Sequence, residues 1–500
     1  MSGIAEHIVD ATKAGGLLTA IDFEGQTLSW QALNTAIGDL RELFVEAGLS
    51  RDAVIGLLGR NRLEQLGGFI STLGADRGLL LINAIRPVTL VVEEIAGLEL
   101  GCLLGSRDDL VPEVVKAARS CGTMVIAAEV QEGCLVFERL APLEATTFRL
   151  RGAGTLIEIQ TSGTTGAPKR IPVSERTIAS SLRDGVRSAK GTVDDFQLKP
   201  QSSPTLMFSP LVHTSGTFNT LMSVFEVRPL VLFEKFDAEQ YRQALVKYRP
   251  KFVPLPPTAI KMMVDSAATR EDFASVRAVR AGTASLPVQL QLAFEEKFGV
   301  PVLTTYGATE FMGVVTSWTL DDHKAYALSK RGSVGRVSKG VQLRIVDPDT
   351  REEIVNGGQG ILEAKLDRID GGREWITTTD LARVDADGFL YIVGRVDDAI
   401  IRGGFKVMAG KVAEVIKRYP GVYDAIVLGL PDERLGEVPV AVVEGYPGSE
   451  LDGGAIRQFA KDNLTPYEVP VRVHVVTSLP RTVSDKISRP AVKELLSKIH

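Results

Sequence analysis

The sequence predicts an α/β protein with more than one domain. Its 500 residues exceed what a single hydrophobic core usually holds. Short, continuous apolar runs at residues 53–58 and 78–83 are typical of buried parallel strands. Residues 63–73, between these runs, have the length of a helix, and residues 123–128 add a further strand. This alternation of strands and helices favours a layered α/β architecture.

Composition and charge argue against several functional classes. The apolar fraction of 44% and the charged fraction of 24% are ordinary for a soluble enzyme. A net charge of −5 gives no electrostatic case for binding nucleic acid or anionic membranes. No apolar run approaches the length of a membrane span, and the N-terminus lacks a signal-peptide pattern. The three cysteines (Cys102, Cys121 and Cys134) lack metal-ligand spacing, so we expect a cytoplasmic protein.

A segment rich in glycine and threonine at residues 160–170 has the sequence Gln-Thr-Ser-Gly-Thr-Thr-Gly-Ala-Pro-Lys-Arg. A predicted strand (155–159) precedes it, and a predicted helix (about 174–190) follows it. Hydroxyl groups, glycine N–H groups and a lysine are donors suited to phosphate, although the spacing is not that of a Walker loop. The residues predicted to bind phosphate are Thr161, Ser162, Gly163, Thr164, Thr165, Gly166 and Lys169.

Further motifs follow this loop along the chain. Each alone has an ordinary structural explanation, such as a capping histidine, a strand-to-helix turn or a solvated charged loop. A helix is predicted from Ser285, with Pro287 in its first turn, to about Phe298. The motifs are Pro210-Leu211-Val212-His213, Gly282-Thr283-Ala284, Thr305-Tyr306-Gly307-Ala308-Thr309-Glu310, Thr378-Thr379-Asp380, Gly394-Arg395-Val396-Asp397 and Pro480-Arg481-Thr482-Val483-Ser484-Asp485-Lys486.

The loop and these motifs, in this order, resemble the adenylate-forming superfamily, in particular its acyl-CoA synthetases and aryl-CoA ligases. The resemblance implies that Lys486, His213 and Arg395 act in catalysis and that Glu310 binds Mg²⁺. It further implies nucleotide contacts for the phosphate loop, Arg395 and Lys486, and for Gly282, Thr283, Ala284, Thr305, Tyr306, Gly307, Ala308, Thr309 and Asp380.

The resemblance also implies an acid pocket and two domains that move. His213 is the expected gate of the pocket, whose predicted lining is His213, Ala281, Gly282, Gly307, Gly313 and Val314. The predicted N-terminal domain spans residues 1–396, with α/β subdomains to about residue 330 and a small β-barrel at about 331–396. A small, mobile α+β C-terminal domain (397–500) would carry Lys486. Asp397 would be its hinge, and Gly403 and Gly404 would line the coenzyme A channel.

Two positions depart from the superfamily pattern, because Thr379 and Asp485 stand where glycine is usual. They leave open how the backbone at Asp380 is held and how Lys486 meets its substrate. A catalytically dead nucleotide-binding module is therefore one alternative.

The predicted function is ATP-dependent activation of a carboxylic acid to an acyl-adenylate, followed by transfer to coenzyme A. The predicted pocket segments are residues 212–218, 281–285 and 307–315. They hold mostly small or aliphatic residues, with Phe218, Phe311 and Met312 also available, and no arginine or lysine. This composition favours an apolar aryl or medium-chain monocarboxylate. Transfer to an amine or a carrier protein is the alternative. The sequence leaves open the identity of the acid and whether the protein forms a homodimer.

Overall fold

A computed structural model describes most of the chain: residues 3–160, 170–190, 197–308, 311–355, 357–369, 371–395, 399–402, 405–432, 434–482 and 486–499. The chain divides into two compact units, one ending at Val314 and one beginning at Val315. In this division residues 315–395 group with the C-terminal part. The predicted domain boundary at residue 396 stays a prediction.

The first unit contains helices and strands in alternation. Its helices are α1 (Ile4–Gly15), α2 (Trp30–Glu46), α3 (Leu63–Gly74), α4 (Val88–Ala96), α5 (Pro112–Ser120), α6 (Glu175–Lys190), α7 (Thr214–Phe225), α8 (Ala238–Tyr248), α9 (Pro257–Asp265) and α10 (Val288–Phe298). Its strands are β1 (Thr19–Phe23), β2 (Gln26–Ser29), β3 (Val54–Gly59), β4 (Gly78–Asn83), β5 (Cys102–Ser106), β6 (Met124–Gln131), β7 (Cys134–Ala141), β8 (Thr155–Gln160), β9 (Arg170–Ser174), β10 (Thr205–Met207), β11 (Leu230–Leu232), β12 (Phe252–Pro254), β13 (Ala278–Ala281) and β14 (Val302–Ala308).

Parallel pairing dominates the sheets of this unit. A seven-stranded sheet has the order β7-β6-β5-β3-β4-β8-β9, and only its edge strands β7 and β9 run antiparallel to their neighbours. A four-stranded sheet has the order β10-β11-β1-β2, and β12, β13 and β14 pair in parallel. Every residue of β3 and β5 is buried, as expected of strands covered by helices on both faces.

Local sequence explains where the helices of the first layer begin and how they pack. The Ser29 hydroxyl accepts a hydrogen bond from the Ala32 N–H (3.0 Å), which caps α2. The apolar face of α2 includes Leu33, Leu40 and Phe44, all fully buried. α3 is buried along its whole length, because it lies between α2 and the seven-stranded sheet.

The second unit combines two antiparallel arrangements. Its strands are β15 (Gly313–Ser317), which begins just before the boundary, β16 (Arg336–Val337), β17 (Val341–Val346), β18 (Gly360–Leu366), β19 (Ile376–Val384), β20 (Leu390–Arg395), β21 (Ala399–Arg402), β22 (Phe405–Met408), β23 (Val422–Asp432), β24 (Gly436–Gly445) and β25 (Arg472–Val476). Its helices are α11 (Leu320–Tyr326), α12 (Ala409–Ile416), α13 (Gly453–Asn463) and α14 (Arg489–Ile499). The short strands predicted for the barrel segment form a four-stranded antiparallel sheet, β17-β18-β19-β20.

The C-terminal part of this unit is an α+β fold, as predicted. Its sheet has the order β22-β21-β24-β23, and β25 pairs in parallel with β24. α12 and α13 pack on it around Val412 and Ile456, and α14 packs through Val492.

One predicted helix start is wrong. α10 begins at Val288 after Pro287, and the Ser285 side chain does not cap it. The reason is local, because a proline disfavours helical geometry in the residue before it, which holds Leu286 outside the helix. The predicted end of this helix at Phe298 is confirmed.

Candidate active site

The motifs of the first unit lie where parallel strands end. β8, β10, β13 and β14 are followed respectively by the phosphate loop, the His213 loop, the Gly282 segment and the segment from Thr309. Ligands of open α/β sheets bind in loops beyond the carboxyl ends of the strands. Residues 161–169, 309–310, 397, 403–404 and 485 lie outside the described part of the chain. The roles predicted for them, including phosphate binding by Thr161 to Lys169 and metal binding by Glu310, therefore stay predictions.

Glu94 on α4 binds the two residues that flank the predicted phosphate loop. These residues, Gln160 and Arg170, are paired across β8 and β9. The Glu94 carboxylate accepts from the Arg170 guanidinium and from Gln160 Nε2 (3.4 Å), and Arg86 Nη1 donates to its second oxygen (2.5 Å). Burial lowers the pKa of Arg170, and the negative charge of Glu94 opposes that shift.

The ends of β13 and β14 and the start of β15 bring predicted nucleotide and acid residues together. Thr305 Oγ1 donates to the Ala281 carbonyl oxygen (3.3 Å). A Cβ at Gly282 would lie 2.7 Å from Thr305 Oγ1, and a Cβ at Gly307 would lie 2.3 Å from the Gly313 carbonyl oxygen. Glycine is therefore required at Gly307 for the close approach of two backbones.

Thr283, which directly follows Gly282, has a strained backbone. Its φ is +70°, a value that β-branched residues rarely adopt. Such geometry costs about 1–3 kcal/mol and is found at sites where the fold imposes it for function. Ala284 is exposed beside it, Tyr306 and Ala308 are half-buried in β14, and Val314 in β15 is 39% exposed.

His213 lies at the N-terminus of α7, in an extended conformation (φ −101°, ψ 154°) and half-buried. The backbone N–H of His213 donates to the Pro210 carbonyl oxygen (3.0 Å), and its backbone carbonyl oxygen accepts from the Thr217 N–H (2.9 Å). The backbone on both sides of His213 is therefore fixed by the start of the helix. Its role as a gate stays a prediction.

In the second unit, Asp380 and Arg395 are paired across β19 and β20. The distance from Arg395 Nε to Asp380 Oδ1 is 3.8 Å. Arg395 also donates to the Thr379 hydroxyl from Nε (3.0 Å) and Nη2 (2.5 Å). Thr379, which replaces the usual glycine, therefore holds the guanidinium beside Asp380.

Lys486 lies in the electrostatic field of Arg395. Part of the residue is open to solvent, but its surroundings lower the pKa of its ammonium group, first through desolvation and second through the charge of Arg395. Two cations that act on each other in this way favour an anion between them.

Ion pairs fix the segment that leads to Lys486. The Thr482 N–H donates to the Lys486 carbonyl oxygen (2.7 Å), and the Lys486 N–H donates to Thr482 Oγ1 (3.2 Å). Arg481 binds Asp424 on β23 (2.8 Å) and Glu444 on β24 (3.4 Å). The base of the Lys486 turn is thus attached to the C-terminal sheet.

Lys417 completes this network, with its ammonium nitrogen 3.2 Å from both Asp424 and Glu414. Burial alone would raise the pKa of Asp424, but Lys417 and Arg481 together bring it below its ordinary value. The Asp424 carboxylate therefore stays charged and stabilises the folded unit above acidic pH.

Sequence reasoning missed three residues that support the site: Asn61, Glu94 and Asp424. Asn61 is the second residue after the wholly apolar strand β3, and a polar residue at that edge of a parallel sheet is a detectable signal. Glu94 and Asp424 lie in ordinary amphipathic surroundings and carry no comparable signal.

The order of motifs and the fold define an adenylate-forming protein. The model of the AMP-binding enzyme family matches residues 10–365, and the model of the AMP-binding enzyme C-terminal domain matches residues 411–486. The chain belongs to the AMP-binding enzyme family, which confirms the resemblance inferred from its motifs.

Similar proteins include named coenzyme A ligases. The chain is 31% identical over 356 residues to 4-coumarate–CoA ligase-like 5 of Oryza sativa subsp. japonica, covering 70% of this chain and 64% of that protein. Across the first three such relatives it spans 62–65% of their length. It is 27% identical over 504 residues to 2-succinylbenzoate–CoA ligase of Bacillus cereus (strain AH820), covering 96% of both chains.

A solved structure supports the fold. ATP-bound MatB from Rhodopseudomonas palustris has a TM-score of 0.83, 23% identity and 99% coverage of both chains. The predicted class, α/β with a large N-terminal and a small C-terminal region, is confirmed. None of the described helices is both long and apolar enough to cross a bilayer.

The resemblance implies a nucleotide contact for Arg395, so its hydrogen bonds to Thr379 predict a measurable effect on nucleotide affinity. Thr379→Val keeps the shape of the side chain but removes the hydroxyl that accepts from Arg395. A typical hydrogen bond contributes about 0.5–1.5 kcal/mol, so we expect the KM for ATP to rise roughly two- to ten-fold. Steady-state kinetics with varied ATP measures this, and Thr379→Ser should retain the wild-type KM. Equal KM values for the Val and Ser variants would contradict the assignment.

The Asp424 network predicts a pH-dependent loss of stability. Asp424 has a lowered pKa in the folded state, so its contribution is present above the unfolded pKa of about 4 and is lost as pH falls through the folded value. Asp424→Asn should lower the free energy of unfolding by about 1–3 kcal/mol at neutral pH and flatten its decline in acid. Urea unfolding between neutral and acidic pH measures both effects. Asp462→Asn, at an exposed site, is the control, and parallel curves for the wild type and Asp424→Asn would refute the prediction.

Proposed function

We propose that the protein is an AMP-forming acid–thiol ligase that activates a carboxylic acid with ATP and transfers the acyl group to coenzyme A. The observation that carries this proposal is the placement of Asp380, Arg395 and Lys486 in one unit, where Arg395 Nε lies 3.8 Å from Asp380 Oδ1 and the charge of Arg395 acts on Lys486. A carboxylate suits the ribose hydroxyls, and two neighbouring cations suit a phosphate and the attacking carboxylate. Family membership and the relatives named as coenzyme A ligases support the same activity.

The first step joins two anions. A carboxylate oxygen of the acid attacks the α-phosphorus of ATP, a new P–O bond forms, and the bond to the β-phosphate breaks with loss of pyrophosphate. Lys486 is proposed to bridge the carboxylate and the α-phosphate, and Arg395 to contact ribose or phosphate. Fixed cations offset the repulsion between the two anions without reorganising during the reaction.

The residues at the carboxyl ends of β13 and β14 are proposed to recognise the nucleotide. Tyr306 would stack on adenine, and the segment from Gly282 to Ala284 would lie against the nucleotide and the acid. Mg²⁺ accompanies ATP and neutralises phosphate charge. It is usually held by one or two carboxylates and the phosphates themselves, and Glu310 is its proposed ligand.

The second step forms the thioester. The sulfur of coenzyme A attacks the acyl carbon, and AMP leaves. We propose that the C-terminal domain rotates about Asp397, withdraws Lys486 and presents Gly403 and Gly404 to the thiol. One scaffold would then provide two active sites in turn.

The acid is proposed to be an apolar aryl or medium-chain monocarboxylate. Ala281 and Gly282 adjoin Thr305, and Gly307 adjoins Gly313, so this part of the proposed pocket wall is built of small groups. Neither an arginine nor a lysine occurs in residues 281–285 or 307–315, so these segments offer no cation for a second carboxylate.

Mass spectrometry of reaction mixtures tests the activity. The enzyme is incubated with MgATP and benzoate, cinnamate, hexanoate or octanoate, with and without coenzyme A. We expect AMP and an acyl-CoA only when the thiol is present. Accumulated acyl-adenylate without a thioester would point to an amine or a carrier protein as acceptor. Bound ATP with no AMP from any acid would instead indicate a nucleotide-binding module.

Lys486→Ala and Asp397→Pro are expected to impair different steps of the reaction, so together they test both steps. Loss of Lys486 should lower adenylation by at least about 100-fold, since it removes charge stabilisation present in the transition state. It should spare thioester formation from a supplied acyl-adenylate. Asp397→Pro should impair the thiol step more than adenylation, because proline restricts rotation at the junction. Single-turnover kinetics of each half-reaction measures both, and equal losses in the two half-reactions would contradict the assignment.

A further inference from the structure

We infer that Asn61 is a positioning residue that sets the conformation of the His213 loop and thereby the affinity for the acid. This inference rests on the proposed function for the role of His213. It concerns the segment from Phe208 to His213, which links β10 to α7.

Asn61 is 2% exposed and uses its whole side-chain amide on this segment and its neighbour. Asn61 Nδ2 lies 3.1 Å from the carbonyl oxygens of Phe208, Ser209 and Phe233, and Oδ1 accepts from the Leu211 N–H (2.9 Å). One side chain therefore satisfies backbone groups on both sides of the turn. Buried backbone groups left without partners are costly, so the loop conformation depends on this amide.

The loop that carries Asn61 is itself fixed by charged neighbours. Arg60 forms an ion pair with Asp109 (3.1 Å), and Arg62 with Glu234 (3.3 Å), the residue after Phe233. Asn61 is thus held between two arginines attached to different strand ends. It connects β3 of the seven-stranded sheet with β10 and β11 of the four-stranded sheet.

Close packing leaves the His213 loop little room to adopt another shape. A Cβ at Gly59 would lie 2.5 Å from Val212 Cγ1, and a Cβ at Gly216 would lie 2.1 Å from the Pro210 carbonyl oxygen. The Thr217 hydroxyl donates to the Leu211 carbonyl oxygen (2.8 Å). Leu211 is therefore bound at its N–H by Asn61 and at its carbonyl by α7, two residues before His213.

These contacts assign a specificity-determining role to a residue outside the predicted pocket. Asn61 lies at the carboxyl end of β3 and belongs to none of the superfamily motifs found in the sequence. A shift of the Leu211 backbone would carry Val212 and His213 with it, and both belong to the proposed acid-pocket segment. The nucleotide contacts proposed on β13 and β14 are on a separate set of strands, so the KM for ATP should be far less affected.

Two Asn61 variants and one control variant test the inference. Asn61→Ala removes all four interactions, whereas Asn61→Asp keeps the shape and the acceptor for Leu211 but loses the donor. Leu33→Ala opens a cavity in α2, at a buried site away from this loop, and serves as the matched destabilised control. The KM for the acid that wild type uses best among benzoate, cinnamate, hexanoate and octanoate is measured beside the KM for ATP.

Both Asn61 variants should raise the KM for the acid about ten-fold or more and change the KM for ATP less than about three-fold. The Leu33 variant should melt at a lower temperature with both KM values unchanged. The inference is rejected if a folded Asn61 variant retains the wild-type acid KM, if the Leu33 variant shows the same shift, or if neither Asn61 variant folds.

A second readout does not require activity. Diethyl pyrocarbonate modifies histidines, and peptide mapping reports each of the five in the chain separately. The modification rate of His213 should change in both Asn61 variants, while His7, His323 and His474 keep their rates. If wild type activates no acid but the His213 rate changes in this way, the positioning role stands and the proposed function fails. An unchanged His213 rate in a folded variant rejects the positioning role.

Discussion

Parallel pairing of buried strands is the constraint on which the arrangement of this protein depends. Because β3, β4, β5, β6 and β8 run in the same direction, each must be reached by a crossover, and their carboxyl ends share one edge. The same holds for β10 and β11 and for β12 to β14. Polar residues that interrupt apolar runs therefore collect at strand ends. Asn61 and the His213 loop follow such strand ends, and the predicted phosphate loop follows β8 in the sequence.

Cations are held in different ways in the supporting framework and in the proposed catalytic group. Arg170 and Arg481 are structural cations, and each binds a carboxylate that is largely buried, Glu94 and Asp424 respectively. Arg395 donates to the Thr379 hydroxyl, and its Nε lies 3.8 Å from Asp380 Oδ1. The positive charge of Arg395 acts on Lys486. Carboxylates thus fix the cations that support the backbone, and a hydroxyl helps to orient the cation where an anionic substrate is proposed to bind.

Local patterns in the sequence predict the helices and strands more accurately than they predict the long-range contacts. Continuous apolar runs predict β3 and β4, and the family motifs include Asp380 and Arg395, which the structure pairs across β19 and β20. The sequence misplaces the start of α10, because Pro287 overrides a capping residue two positions earlier. Thr379 is only a departure from a motif in the sequence, whereas in the structure its hydroxyl orients Arg395. Asn61 could not be assigned a function, because its hydrogen-bond partners lie 147 to 172 residues away in the sequence.

One residue of the candidate site, Thr283, has a strained backbone. Thr283 keeps a φ of +70° although such a conformation costs about 1–3 kcal/mol for a β-branched residue. It persists because Ala281, two residues earlier, is paired in β13 and bound by Thr305 of β14. Free energy from burial of the parallel strands offsets this local cost. A preorganised backbone of this kind reduces the ordering that binding must impose, which is why residues remote from the substrate, such as Asn61, can control affinity.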